Sequence, residues 1–146
     1  LRTKTLQFPY LYLKENLCVL DDRGLTMKLT DDTIKTLSEE GVPLEDIENT
    51  ILIHIPFQAG SAFTLPLFGR NFIFPKRYIR DDQWLHEFCH VAQINRMGGR
   101  KYWKRVVIGR FHPGSGGLLG KNLEEEKECY GIQTAYRTRN MKGKKR

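Results

Sequence analysis

Residues 86–90 read His86-Glu87-Phe88-Cys89-His90. Two histidines four residues apart stand one helical turn above each other, so on a helix both imidazoles leave the same face about 6 Å apart. That separation lets two neutral ring nitrogens bind one Zn²⁺ at about 2.0–2.1 Å. Glu87 projects about 100° further round, beside such an ion and not onto it. There it can take a proton from a water whose pKa the metal has lowered to about 7. The histidines alone make a metal site; the glutamate makes it a hydrolytic one. With four histidines and ten glutamates in 146 residues, a random order gives this pattern in roughly 0.7% of chains, so it is read as a site and not as chance.

A catalytic zinc site takes three protein ligands and keeps one position open. The H-E-x-x-H-x-x-G-x-x-H arrangement needs a glycine and a histidine where this chain has Gln93 and Arg96, which excludes that class. Two other histidines exist. His54 lies in an apolar stretch, where a satisfied core histidine is expected; His112 lies in a glycine-rich loop that can reach the site. A last predicted helix carries Glu124, Glu125, Glu126 and Glu128 in its first two turns, with Leu123, Cys129, Ile132 and Tyr136 marking its apolar side. Glu126, three residues before Cys129, shares that side and is the expected third ligand, with Glu125 and His112 as alternatives. The other glutamates suit the positive end of the helix dipole.

These residues need elements to hold them. From Asp81 an apolar period near 3.6 (Trp84, Leu85, Phe88, Cys89, Val91, Ala92, Ile94) predicts a helix that Gly98-Gly99 ends. Upstream the period is nearer two. Residues 5–20 suggest an edge strand, Asp21–Gly24 a turn, Thr30 the start of a helix closed near Gly41, and Thr50–Ile55 a buried strand. Phe63–Phe68 and Arg70–Phe74 form either one broken strand or a hairpin. Lys101–Ile108 suggests a short helix, Phe111–Gly120 a loop, and Asn122 with Glu125 a capping box opening a helix to about Arg139. Strands precede helices, the order of an α+β domain. We expect one domain over residues 1–136 and a basic, flexible tail over 137–146.

Composition narrows the class. The length suits a single domain. No apolar run nears the ~18 residues of a membrane-spanning helix, so no membrane partner is expected. Cys18, Cys89 and Cys129 cannot all pair and show no C-x-x-C spacing, which excludes a disulfide scaffold or cysteine-type zinc finger; free thiols fit a reducing compartment such as the cytoplasm. The net charge of +7 is divided unevenly: residues 1–68 carry 6 basic and 10 acidic side chains, residues 69–146 carry 18 and 7. Six basic residues fall in Arg96–Arg110 and six in Arg137–Arg146. Such a half attracts phosphate or an acidic surface.

At this point the sequence resembles a zinc metallopeptidase of the gluzincin type, whose third ligand is a glutamate on a second helix. Trp84–Gln93 (WLHEFCHVAQ) is similar to the L-x-H-E-x-x-H-x-x-Q helix of small metallopeptidase core domains found with phage-tail-like injection systems. Gly98-Gly99 with Tyr102 resembles the stretch after that helix, and Glu126-Lys127-Glu128-Cys129-Tyr130 resembles the group's E-x-E-A-D/Y helix. The resemblance covers about residues 69–136. It implies a small zincin-like domain: an N-terminal mixed or antiparallel sheet, an active-site helix with His86 and His90 as ligands and Glu87 as base, and a C-terminal helix carrying Glu126. Tyr130 departs from it, standing where relatives carry an aspartate that braces a ligand histidine.

The implied activity is zinc-dependent hydrolysis of a peptide bond in a peptide or protein substrate, laid along an edge strand beside the active-site helix. Arg70–Phe74 is the candidate edge, and Arg70, Arg77 and Arg110 are candidates for favouring acidic substrates. Two alternatives stand beside it. The helix also resembles SprT-like proteases that act near DNA, with His112 as third ligand. A non-enzymatic, metal-stabilised module would instead bind nucleic acid or a protein through its basic half. The sequence is silent on oligomeric state.

Overall fold

The computed structural model describes residues 19–20, 27–54, 62–75 and 79–143. Most of the strand expected over 5–20, the turn at 21–24 and Arg77 lie outside these residues. The architecture is mixed α+β. Strands β1 (Val19–Leu20) and β2 (Met27–Lys28) pair antiparallel. A three-stranded sheet has the order β3 (Ile51–Leu52), β5 (Arg70–Phe74), β4 (Phe63–Leu67), with β3 parallel and β4 antiparallel to the middle strand. Five α-helices complete it among the described residues: α1 (Asp31–Glu39), α2 (Leu44–Asn49), α3 (Asp81–Met97), α4 (Gly99–Tyr102) and α5 (Glu124–Gly143).

Local chemistry explains most boundaries. Thr30 caps α1, its hydroxyl accepting from the Thr33 amide, and Gly41 follows the helix with φ 93°, a conformation that favours glycine. The two candidate strands are a hairpin: Leu67 pairs with Arg70 across Phe68-Gly69, both with positive φ (52° and 74°), as a two-residue turn of mirror-image type requires. Of the strand expected over Thr50–Ile55, Ile51–Leu52 form β3 at a sheet edge, and Ile55 lies outside the described residues. Helix α2 follows Pro43, carries Glu45 and Asp46 in its first turn and buries Ile47.

Helix α3 is the axis of the molecule. Trp84 through Val91 are all buried, because α1, α2, α4, α5 and strands β4 and β5 all pack against this helix. Ile73, Trp84, Leu85, Phe88 and Val91 form the centre of the main apolar cluster with Leu37 and Leu52; a smaller one joins Ile94, Tyr102 and Val106. Ala92, expected on the apolar face, is exposed. After α4 the chain continues as a π turn over Trp103–Val107 and a 3-10 turn over Ile108–Phe111, so the short helix expected there is real but irregular.

Two elements differ from expectation near the C-terminus. Asn122 does not cap α5; its side-chain amide donates to the Gly114 carbonyl, 2.9 Å away, while Glu125 pairs with Arg105. Helix α5 runs on through Gly143, so the basic stretch from Arg137 begins as helix. Its buried face holds Glu125, Glu126 and Cys129, whereas Ile132 is exposed.

Cys89 of α3 and Cys129 of α5 are joined by a disulfide, with Cα atoms 5.5 Å apart. The expectation of free thiols is thereby corrected for these two, and with it the ground for inferring a reducing compartment.

Candidate metal centre

The i, i+4 spacing of His86 and His90 puts both rings on the face of α3 that meets α5, with ring centroids 5.0 Å apart. From α5, Glu126 inserts its carboxylate between them. Its Oε2 is 3.2 Å from His86 Nε2 and its Oε1 is 3.2 Å from His90 Nε2. All three residues are buried, and one ligand atom from each lies within 4.8 Å of the others. The edge of a tetrahedron with bonds of 2.0–2.1 Å is about 3.3 Å, close to each of these two nitrogen–oxygen separations, which run to different oxygens of the carboxylate. Two imidazoles and a carboxylate are a donor set suited to zinc. The residues present therefore fit the ion that the motif implies.

Gln93 decides how His90 presents itself. Its side chain is fully buried; Oε1 lies 2.9 Å from His90 Nδ1. Its Nε2 donates to the Glu125 carbonyl and to Glu128 Oε2, both at 2.8 Å. With Nε2 committed as donor, Oε1 must accept, so His90 donates from Nδ1, and Nε2, which faces Glu126, is the ring nitrogen a metal ion would take. This is the outer support that a metal-binding histidine needs. Sequence reading saw Gln93 only as a departure from one class and a match to another; its polar type at i+3 from His90 was the available signal.

His86 has no such partner. Its Nδ1 is buried without a hydrogen bond among the described residues, and its ring meets Tyr130 edge-on at 4.5 Å. Tyr130 thus packs its ring against His86. Burial, then the charges of Glu126 and Glu87, raise the tyrosine's pKa, so its hydroxyl stays protonated.

The electrostatics centre on Glu126. Burial alone would raise its pKa. The hydrogen bonds from His86 and His90, with the charges of His90 and Arg110, outweigh burial and hold the carboxyl well below the usual range. Burial likewise opposes a charged His90, but the bond to Glu126 and the charges of Glu87 and Glu126 prevail and raise its pKa.

Glu87 points to the other flank of the cluster. Thr64 Oγ1 of β4 donates to Glu87 Oε2 at 2.6 Å, both residues being buried. The cavity in front has a volume of about 230 Å³, lined by His86, Glu87, His90 and Glu126, with Phe63, Arg110 and Leu119 among its walls. That is below the 300–1,000 Å³ of typical small-molecule sites, enough for one or two residues of a chain.

The alternatives for third ligand are placed elsewhere. Glu125 turns away to Arg105 at 2.7 Å. His112 is exposed and is not among the described residues lining the cavity. His54 is not the satisfied histidine expected, since its Nδ1 is buried without a partner among the described residues. Arg70–Phe74 is the middle strand, not an edge; the outer strand beside α3 is β4. Part of that edge is already used, because Tyr102 donates to the Thr64 carbonyl at 3.3 Å and Trp103 to the Pro66 carbonyl at 2.7 Å, while Pro66 has no N–H. Of the basic stretch 96–110, Arg96, Arg105 and Arg110 each face a glutamate of α5.

No model of a known protein family matches this chain, and neither does any curated protein or solved structure.

Proposed function

We propose that this chain is a zinc-dependent metallo-endopeptidase domain of zincin-like, gluzincin-type construction. His86, His90 and Glu126 hold the ion, and Glu87 is the general base. The observation that carries the reading is the convergence of two Nε2 atoms and one carboxylate from two helices, with Gln93 Oε1 against His90 Nδ1 so that Nε2 is left for the ion.

A bound Zn²⁺ supplies Lewis acidity and a water of lowered pKa. The remaining steps belong to the chain. Thr64 holds Glu87 Oε2, which leaves Oε1 to take the proton of the attacking water and pass it to the departing amide nitrogen. The walls at Ala62 and Phe63 lie at the start of β4, ahead of the part of its edge that Tyr102 and Trp103 cover. An extended peptide therefore meets the sheet at that upstream end.

The test is Glu87→Gln, assayed for zinc content and for cleavage of a quenched fluorescent peptide library. Zinc retained with hydrolysis lost is expected; undiminished turnover refutes the assigned base.

A further inference from the structure

Arg110 is the only lysine or arginine among the described residues lining the cavity. Its Nη2 lies 2.5 Å from Glu126 Oε1, the same oxygen that faces His90. Its Nε is buried and has no acceptor among the described residues. A charged N–H removed from water without an acceptor is unfavourable, more so than a neutral one.

The loop after the 3-10 turn builds this arginine into the site. Gly120 sits at φ 62°, and a Cβ there would lie 3.0 Å from Arg110 Cγ and 3.4 Å from Glu126 Cγ. Ser115 Oγ donates to the Arg110 carbonyl at 2.8 Å. The close approach of backbone to both side chains needs a residue without a Cβ.

A guanidinium fixed beside a cluster that fits a divalent cation opposes that cation by like-charge repulsion. Its partner Glu126 belongs to that same cluster, so with a cation bound the guanidinium is balanced when a further anionic oxygen joins the site. We propose that Arg110 is an oxyanion-binding subsite: it donates to an anionic oxygen of a ligand lying in the cavity against the metal cluster. The inference rests on the metallopeptidase reading and deepens it by giving the ligand's chemistry. The oxygen has two sources: a tetrahedral centre formed during hydrolysis, or a planar carboxylate such as a peptide C-terminus.

The test uses zinc-loaded wild type, Arg110→Gln and Arg110→Lys, titrated calorimetrically with methylphosphonate and with acetate. Zinc affinity is measured separately against a chromophoric chelator. Arg110→Gln is expected to weaken methylphosphonate at least about tenfold, with zinc affinity equal or tighter, and Arg110→Lys to fall between. Loss confined to methylphosphonate assigns the tetrahedral source; matching loss with acetate assigns the carboxylate. Anion binding unchanged in Arg110→Gln overturns the inference alone. So does parallel loss of zinc and anion, which makes Arg110 a strut for Glu126. A wild type that binds no zinc overturns both this inference and the reading beneath it.

Discussion

Replacing Gln93 by Met keeps its volume in a fully buried place and removes every hydrogen bond it makes. Three contacts disappear, to His90 Nδ1, the Glu125 carbonyl and Glu128 Oε2. Glu128 keeps Arg96, and the Glu125 carbonyl lies within α5. The group left stranded is His90 Nδ1, whose other polar neighbour among the described residues is the Cys129 sulfur at 3.6 Å. An orphaned buried donor costs about 1–3 kcal/mol, which sets the expected loss in urea unfolding of the metal-free protein. His90 also becomes free to exchange tautomers and to rotate. Loss of such outer support lowers metal affinity about 10–100-fold, or about 1.4–2.7 kcal/mol. The assay is zinc competition against a chromophoric chelator at fixed pH, with circular dichroism to confirm the fold. A folded Gln93→Met protein with zinc affinity within twofold of wild type would refute the claim that Gln93 orients a ligand.

Other consequences are as direct. The Cys89–Cys129 bond closes a loop spanning 40 positions and ties together the two helices that carry the cluster. Loop-closure entropy gives about 4 kcal/mol for that length, so Cys89→Ser with Cys129→Ser should lose stability of this order by urea unfolding, and a loss under 1 kcal/mol would contradict the bridge's role. Asp82, near the start of α3, accepts from Arg80 at 2.9 Å and from Gln133 of α5 at 2.8 Å. Burial would raise its pKa, but these bonds and the charges of Arg80 and Arg137 outweigh it and lower it. Its stabilisation is therefore present above the unfolded-state pKa near 3.9 and is lost as pH falls through the lower folded value. Asp82→Asn should destabilise the protein by about 1–3 kcal/mol at pH 7 and flatten the acid limb; an unchanged slope below pH 4 would count against this.

The cluster was legible in the sequence because it rests on local geometry. His86, Glu87 and His90 are fixed by the helical repeat, and Glu126 followed from its phase relative to Cys129, which the structure buries on the same face. What failed depends on which elements meet. Strand spacing does not say that Arg70–Phe74 pairs on both sides, so a middle strand and an edge read alike in sequence. Ile132 is apolar yet exposed, because the packed stripe of α5 runs through Glu126, Cys129 and Gln133. Asn122 and Glu125 have the spacing of a cap, but Gly114 and Arg105 outbid the local partners. The Cys89–Cys129 bridge needs α3 and α5 side by side, which no count of three cysteines conveys.

The proposed activity requires one ion held by His86, His90 and Glu126. The most direct measurement is zinc content by elemental analysis of protein purified without chelator, for wild type, Glu126→Ala, Glu125→Ala and His112→Ala. About one zinc per chain in wild type, Glu125→Ala and His112→Ala, and loss in Glu126→Ala, is the predicted result. Zinc lost only in His112→Ala, or absent from folded wild type, would contradict it.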